Sequence, residues 1–166
     1  VTSYYLDGAE AAGQAALFHA AAALRLYSDL YGGYPYAEFD VVAAPLGVRG
    51  MEYTGLVTIG EGLYGDHRDK LAFLVAHETA HQWWYAQVGN DPLAHSWLDE
   101  GLTEYAAFDY FRSVQGQAAA ESAAYVTQHL RIASQGVRIH GGHGTSPAKR
   151  IEAHDCRADL KFAPWP

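Results

Sequence analysis

The chain is expected to fold as an α+β domain with helices packed on a small sheet. Three observations lead there. Alanine- and leucine-rich stretches recur at helical spacing, for example Leu17, Ala20, Ala21, Leu24 and Tyr27. Two short β-branched and aromatic runs, FDVVAA and MEYTGLVTIG, lie close together before residue 61. Glycine and proline clusters separate these stretches from one another. The predicted order is one helix, two strands, then three helices.

Asp7, with Glu10 three residues on, reads as the cap of the first helix, which ends at Gly32-Gly33 and Pro35. Phe39 to Ala44 is a short apolar run before Pro45 and reads as a strand. Met51 to Gly60 reads as a second strand, interrupted at Gly55. Gly60 to Gly65 reads as a loop. Asp66 then caps a helix expected to run to about Gln87, broken by Gly89-Asn90-Asp91-Pro92. Ser96 with Asp99 caps the next, from about Trp97 to Ser113. Gly116 separates it from a last helix over about Gln117 to Gln135. From there the text is loop-like, so residues 137–166 are expected to be an irregular tail.

The 166 residues, 49% of them apolar, suit one domain with enough core to fold. With 11 basic against 19 acidic residues the net charge is −8, which argues against gripping a nucleic-acid backbone. A single cysteine, Cys156, excludes an internal disulfide framework and a cysteine-based zinc knuckle. No stretch approaches the ~20 apolar residues of a membrane span. The first residues, Val1-Thr2-Ser3-Tyr4, have neither a start methionine nor a signal-peptide pattern, so the chain is expected to begin inside a longer protein or after processing.

Nine histidines are the unusual count. Two of them form His77-Glu78-Thr79-Ala80-His81, an H-E-x-x-H motif inside a predicted helix. Spacing of four residues puts both imidazoles on one face, about one turn apart, where both can bind one ion. Glu78 lies roughly 100° round the helix, beside such an ion, and suits a general base acting on metal-activated water. Chance supplies only about 0.03 such motifs in a chain of this composition. A catalytic zinc has three protein ligands and one open position. Glu100, 19 positions after His81, is the candidate third ligand, brought back by a loop between two antiparallel helices. Glu104, one turn further on, suits a partner for a ligating histidine. Asp99 reads as a cap residue.

The runs HETAHQWW and WLDEGLTEY resemble the gluzincin metallopeptidases of the aminopeptidase N family, whose signature is H-E-x-x-H, eighteen residues, then E. Eighteen residues separate His81 from Glu100. The resemblance implies a thermolysin-like catalytic domain and one zinc ion held by His77, His81 and Glu100. It implies Glu78 as base and proton shuttle. Trp83 and Trp84 resemble the family's aromatic pair and read as helix packing. Gly50-Met51-Glu52-Tyr53 resembles the family's G-x-M-E-N motif, in which strand backbone aligns the substrate and the Glu holds its free α-amine. A buried ammonium needs such a carboxylate partner. Tyr53 departs from the motif's asparagine, which weakens the carbonyl role carried by that position and leaves the amine role of Glu52 intact. The implied substrates are peptides with a free N-terminus.

The family's oxyanion tyrosine lies some sixty residues beyond the glutamate ligand. The last tyrosine here is Tyr125, 25 residues beyond Glu100, and residues 159–166 contain none. The chain is therefore expected to be a truncated catalytic domain that binds zinc and hydrolyses peptides poorly by itself. The family's flanking domains have no room in it. The alternatives are an endopeptidase of thermolysin type and a non-catalytic zinc-binding module. His19 reads as a surface or core filler residue, and His67 and His95 flank helix starts. His129, His140, His143 and His154, near Cys156, match no metal spacing.

Overall fold

A computed structural model describes residues 1–65, 68–118, 120–121 and 156–157. Its elements are β1 (Thr2–Tyr4), α1 (Glu10–Tyr31), β2 (Asp40–Ala44), β3 (Gly50–Tyr53), β4 (Leu56–Gly60), a 3-10 turn (Glu61–Tyr64), α2 (Arg68–Ala80), α3 (Pro92–Gln115) and β5 (Cys156–Arg157). The strands form one sheet in the order β3-β4-β2-β1-β5. Strand β2 runs parallel to β1 and β4, while the β3–β4 and β1–β5 pairs are antiparallel. The architecture is α+β, with a small mixed sheet and helices, as the element pattern predicts.

Burial follows the residue pattern. Val41 and Ala43 on β2, with Val57 and Ile59 on β4, alternate into the core. Helix α1 turns a stripe of small residues inward at Ala12, Ala16, Ala20 and Ala23, and ends its buried face with Tyr27. Small side chains let the helix axis approach its neighbours closely. The Tyr27 hydroxyl donates to the Ala76 carbonyl at 3.2 Å, tying α1 to α2 inside the core. Helices α2 and α3 run antiparallel: Phe73 meets Phe111, while His77, further along α2, meets residues near the start of α3.

Several element boundaries differ from the sequence reading. Strand β1 was not expected; it has three residues, and its pairing Thr2↔Asp40 is made only by tertiary contact. Residues 51–60 are a hairpin of two antiparallel strands, because Gly55 takes φ +79°, a turn conformation that favours glycine. Glu61–Tyr64 is a 3-10 turn and not a loop. Ala9, not Asp7, precedes the first turn of α1, and the Glu10 carboxylate accepts from the Gly8 N–H at 3.0 Å.

Helix α2 stops at Ala80 and not near Gln87. Its last turns tighten, with Gln82 N–H donating to Thr79 and Trp83 N–H to Ala80, and Tyr85 at φ +142° then turns the chain away. Helix α3 starts earlier than Trp97. Asp91 caps it by accepting from Leu93 N–H and Ala94 N–H, and Pro92 occupies a first-turn position that needs no donor. Ser96 and Asp99 therefore do not form the cap; the backbone bends at His95, and Asp99 lies buried inside the helix.

Two residues of the expected irregular tail, Cys156 and Arg157, pair with β1. The rest of that tail lies outside the described residues, as do Asp66, His67, Tyr125, His129, His140, His143, His154 and the predicted last helix beyond Glu121. No helix among the described residues is long and apolar enough to cross a membrane.

Candidate metal centre

His77 sits in the last turn of α2, and His81 follows directly after the helix end. Both are buried, His81 with 1% of its surface exposed. Their ring centroids lie 5.1 Å apart, so four-residue spacing survives the end of the helix. Helix α3 brings Glu100 to the pair. One oxygen of Glu100 lies 3.4 Å from His77 Nε2 and the other 4.0 Å from His81 Nε2. One donor atom from each of the three residues falls within 4.8 Å of the other two. Two imidazoles and one carboxylate converging this way match the donor set of a catalytic zinc site with an open position.

The far nitrogen of His81 is hydrogen-bonded, and that of His77 faces a carboxylate. His77 Nδ1 lies 3.5 Å from a Glu104 carboxylate oxygen. His81 Nδ1 lies 3.0 Å from the Trp84 carbonyl and 3.2 Å from the Thr103 hydroxyl. Thr103 spends its own hydrogen on the Asp99 carbonyl at 2.6 Å. Its oxygen is then free to accept, so a proton on His81 Nδ1 serves both neighbours and Nε2 keeps its lone pair for a metal. Such outer contacts orient ligating histidines.

The two histidines titrate in opposite directions. Burial lowers the pKa of His77, but the Glu100 hydrogen bond and the charges of Glu78, Glu100 and Glu104 outweigh it, and the net shift is upward. Burial and the neighbouring His77 lower the pKa of His81, against weaker support from the Trp84 carbonyl, Glu52 and Glu100.

A second convergence shares His81. Ligand atoms of Glu52, Glu78 and His81 also lie within 4.8 Å of one another. Glu52 comes from β3, which among the described residues pairs only with β4 and so forms a sheet edge. Glu78 is buried, and its carboxylate lies against the backbone of Gly50 on the same strand. Met51 is half-buried there, and the Tyr53 side chain is exposed. The two groups thus meet at His81.

Trp83 packs as expected, edge-on to Tyr27, and its indole N–H donates to the Gly32 carbonyl at 2.8 Å. Trp84 packs against Tyr31. His19 Nδ1 lies 2.8 Å from the Tyr110 hydroxyl between α1 and α3. Sequence reasoning missed Thr103, the Trp84 carbonyl and the amide of Gln82, which bonds to the β3–β4 turn. Only their closeness in sequence to His81 and Glu100 marked them, and closeness does not tell which atom points where.

The sequence profile of the Peptidase family M1 domain matches residues 15–150, well over half of the chain. This chain belongs to peptidase family M1. Peptidases of that family depend on zinc in general. This M1 domain is similar to Aminopeptidase M1-B of Oryza sativa subsp. japonica, 35% identical over 118 residues, covering 65% of the chain and 14% of that protein. It is similar to Aminopeptidase M1 of Arabidopsis thaliana, 29% identical over 160 residues, or 90% of the chain and 18% of that protein. Aminopeptidase N of Haemonchus contortus is 32% identical over 95 residues, 51% of the chain and 10% of that protein. The M1 domain thus spans under a fifth of the length of these relatives.

Proposed function

We propose that this M1 domain is the zinc-binding part of a thermolysin-like catalytic domain, and that the protein carrying it removes N-terminal amino acids from peptides. The observation behind this reading is that His81 is common to two groups: His77, His81 and Glu100 suit a metal, while Glu52 and Glu78 border it on the strand side. A metal site alone suits any zinc hydrolase. A carboxylate on an edge strand beside it suits a substrate that begins at a free ammonium.

Zinc held by His77, His81 and Glu100 would supply a Lewis acid and make water acidic enough to ionise near neutral pH. Glu78, beside the site, would serve as the base that takes a proton from water and returns it to the departing amine. Its side chain is buried beside the site. Glu52 holds the α-ammonium and fixes the register so that the first peptide bond is the one presented. The backbone of Gly50 and Met51 supports the extended substrate by strand pairing. The Glu104 carboxylate faces the far side of His77, while Thr103 and the Trp84 carbonyl fix His81.

The test is a substrate pair on the full-length protein: an aminoacyl chromogenic substrate with a free amine, and the same substrate N-acetylated. Zinc content is read alongside. Stoichiometric zinc, turnover of the free amine only, and loss of that preference in Glu52→Gln support the reading. Equal cleavage of both substrates points to an endopeptidase. Bound zinc without turnover of either points to a non-catalytic module.

A further inference from the structure

Gln82 follows the second metal-ligand candidate directly and is completely buried. A buried primary amide must be given partners, and this one takes both from the turn of the β3–β4 hairpin. Its Oε1 accepts from the Gly55 N–H at 2.8 Å. Its Nε2 donates to the Tyr53 carbonyl at 2.9 Å. The Gln82 backbone is held as well: its N–H donates to Thr79, and its carbonyl accepts from Gln87 Nε2 at 3.1 Å. The amide is therefore a rigid strut between the end of the metal-binding helix and a hairpin 27 residues away in sequence.

The position of that strut decides what it does. Strand β3 is an edge strand among the described residues, supported by β4 on one side through the register Glu52↔Val57 and Tyr53↔Leu56. An edge strand shifts more easily than a central one, because half of its ladder is missing. The metal-binding helix and the turn that follows it both touch this strand. Glu78 packs on Gly50 at one end, and Gln82 holds Tyr53 at the other. Glu52 lies between them. Both contacts bear on the separation between its carboxylate and the metal site, and the Gln82 contact consists of two hydrogen bonds to backbone.

We propose that Gln82 is a positioning residue: its amide fixes the distance between Glu52 and the metal ligands, and so sets how strongly the site prefers a free α-amine. This rests on the aminopeptidase reading, and it adds a residue that touches neither metal nor substrate. Loss of the strut is expected to leave zinc binding intact, since His77, His81 and Glu100 come from α2, the turn after it and α3, and not from β3. It lets the hairpin turn drift and carries Glu52 away from the ammonium.

The experiment compares two inhibitors of the full-length protein: an α-amino-acid hydroxamate and the matching acyl hydroxamate without the amine. Their ratio of inhibition constants measures amine anchoring with the metal contact held constant. Gln82→Met, which keeps length and removes both hydrogen bonds, is expected to lower that ratio by about tenfold, with zinc content unchanged. Gln82→Glu keeps the acceptor for Gly55 and loses the donor to Tyr53, and is expected to fall between. The double variant with Glu52→Gln is expected to lose no more than Glu52→Gln alone. An unchanged ratio in Gln82→Met, or weakening of both inhibitors equally, overturns the proposal. Failure of the aminopeptidase reading looks different, because the wild-type protein itself would then show no amine preference. Should Gln82→Met not fold, hydrogen exchange of the wild-type protein decides: the Gly55 amide must be as protected as the β3–β4 ladder, and fast exchange there overturns the strut.

Discussion

The carboxylate of Glu78 occupies the space in which any residue larger than glycine at position 50 would place its Cβ. Helix α2 and strand β3 approach this closely because Gly50 has no side chain. The proposed base is thereby set against the strand proposed to hold the substrate, with no gap for a bystander. The contacting group is the end of a flexible side chain, so a larger residue at position 50 displaces Glu78 and leaves the fold intact.

Gly50→Ala is therefore expected to lower turnover on the order of 100-fold, the scale of a misplaced general base. Zinc content and melting temperature should stay near those of the wild type. Steady-state kinetics with metal analysis is the check, and a wild-type kcat would contradict the assignment of Glu78 as base.

Glu78→Gln separates binding from chemistry. The amide fills the same volume but takes no proton. Turnover should drop by roughly 100- to 10,000-fold with one zinc still bound per chain. Loss of the zinc together with activity would instead make Glu78 a ligand.

Glu104→Gln and Thr103→Val probe the groups behind the ligands. Each removes one contact to the far nitrogen of a histidine, Glu104 to His77 and Thr103 to His81. Zinc affinity, measured by competition with a chelator, should weaken by about 10- to 100-fold in each. Unchanged affinity in both would show that those contacts orient nothing.

The pH dependence of zinc binding follows from the histidines. The carboxylates around His77 outweigh its burial and raise its pKa above 6.5, whereas burial and His77 lower that of His81. A ligating imidazole must be neutral, so a proton on His77 competes with zinc. In the metal-free protein, tighter proton binding by native His77 contributes stability in full below about pH 6.5 and loses it as pH rises through the native value. Zinc works in the opposite direction. The rise in melting temperature on adding zinc should therefore grow as pH increases from about 6 to 8. A zinc effect that is flat over this range would contradict the raised His77.

Trp83→Ala removes a buried indole that packs on Tyr27 and Tyr34 and donates to Gly32. Denaturant unfolding should show a loss of roughly 3 to 5 kcal/mol. A loss under 1 kcal/mol would mean that the end of α2 is not packed against α1.

Much of this arrangement was readable in the linear text, for definite reasons. His77 and His81 share a face because helical spacing puts them there, and the motif is too rare to arise by chance. The apolar runs at Val41–Ala43 and Val57–Ile59 alternate because a strand buries every second residue. Helix ends were less readable. Asp7, Ser96 and Asp99 have the chemistry of caps, yet Ala9 and Asp91 hold the cap positions, because the choice among nearby polar residues depends on where the preceding chain arrives.

The sequence by itself determined the α+β class, the candidate ligands His77, His81 and Glu100, and the acids Glu52 and Glu78 set near them. The class follows from local periodicity and the ligands and Glu78 from a spaced motif, whereas the place of Glu52 was implied by the resemblance to a family motif. The tertiary structure decided the rest: the parallel pairing of β1 with β2, the hairpin at Gly55, the end of α2 at Ala80 and the amide of Gln82 reaching across to Tyr53. Those features join residues tens of positions apart, and their energies depend on distances that no local pattern encodes. A motif names the groups that can bind a metal. Packing fixes the separation between that metal and the strand beside it.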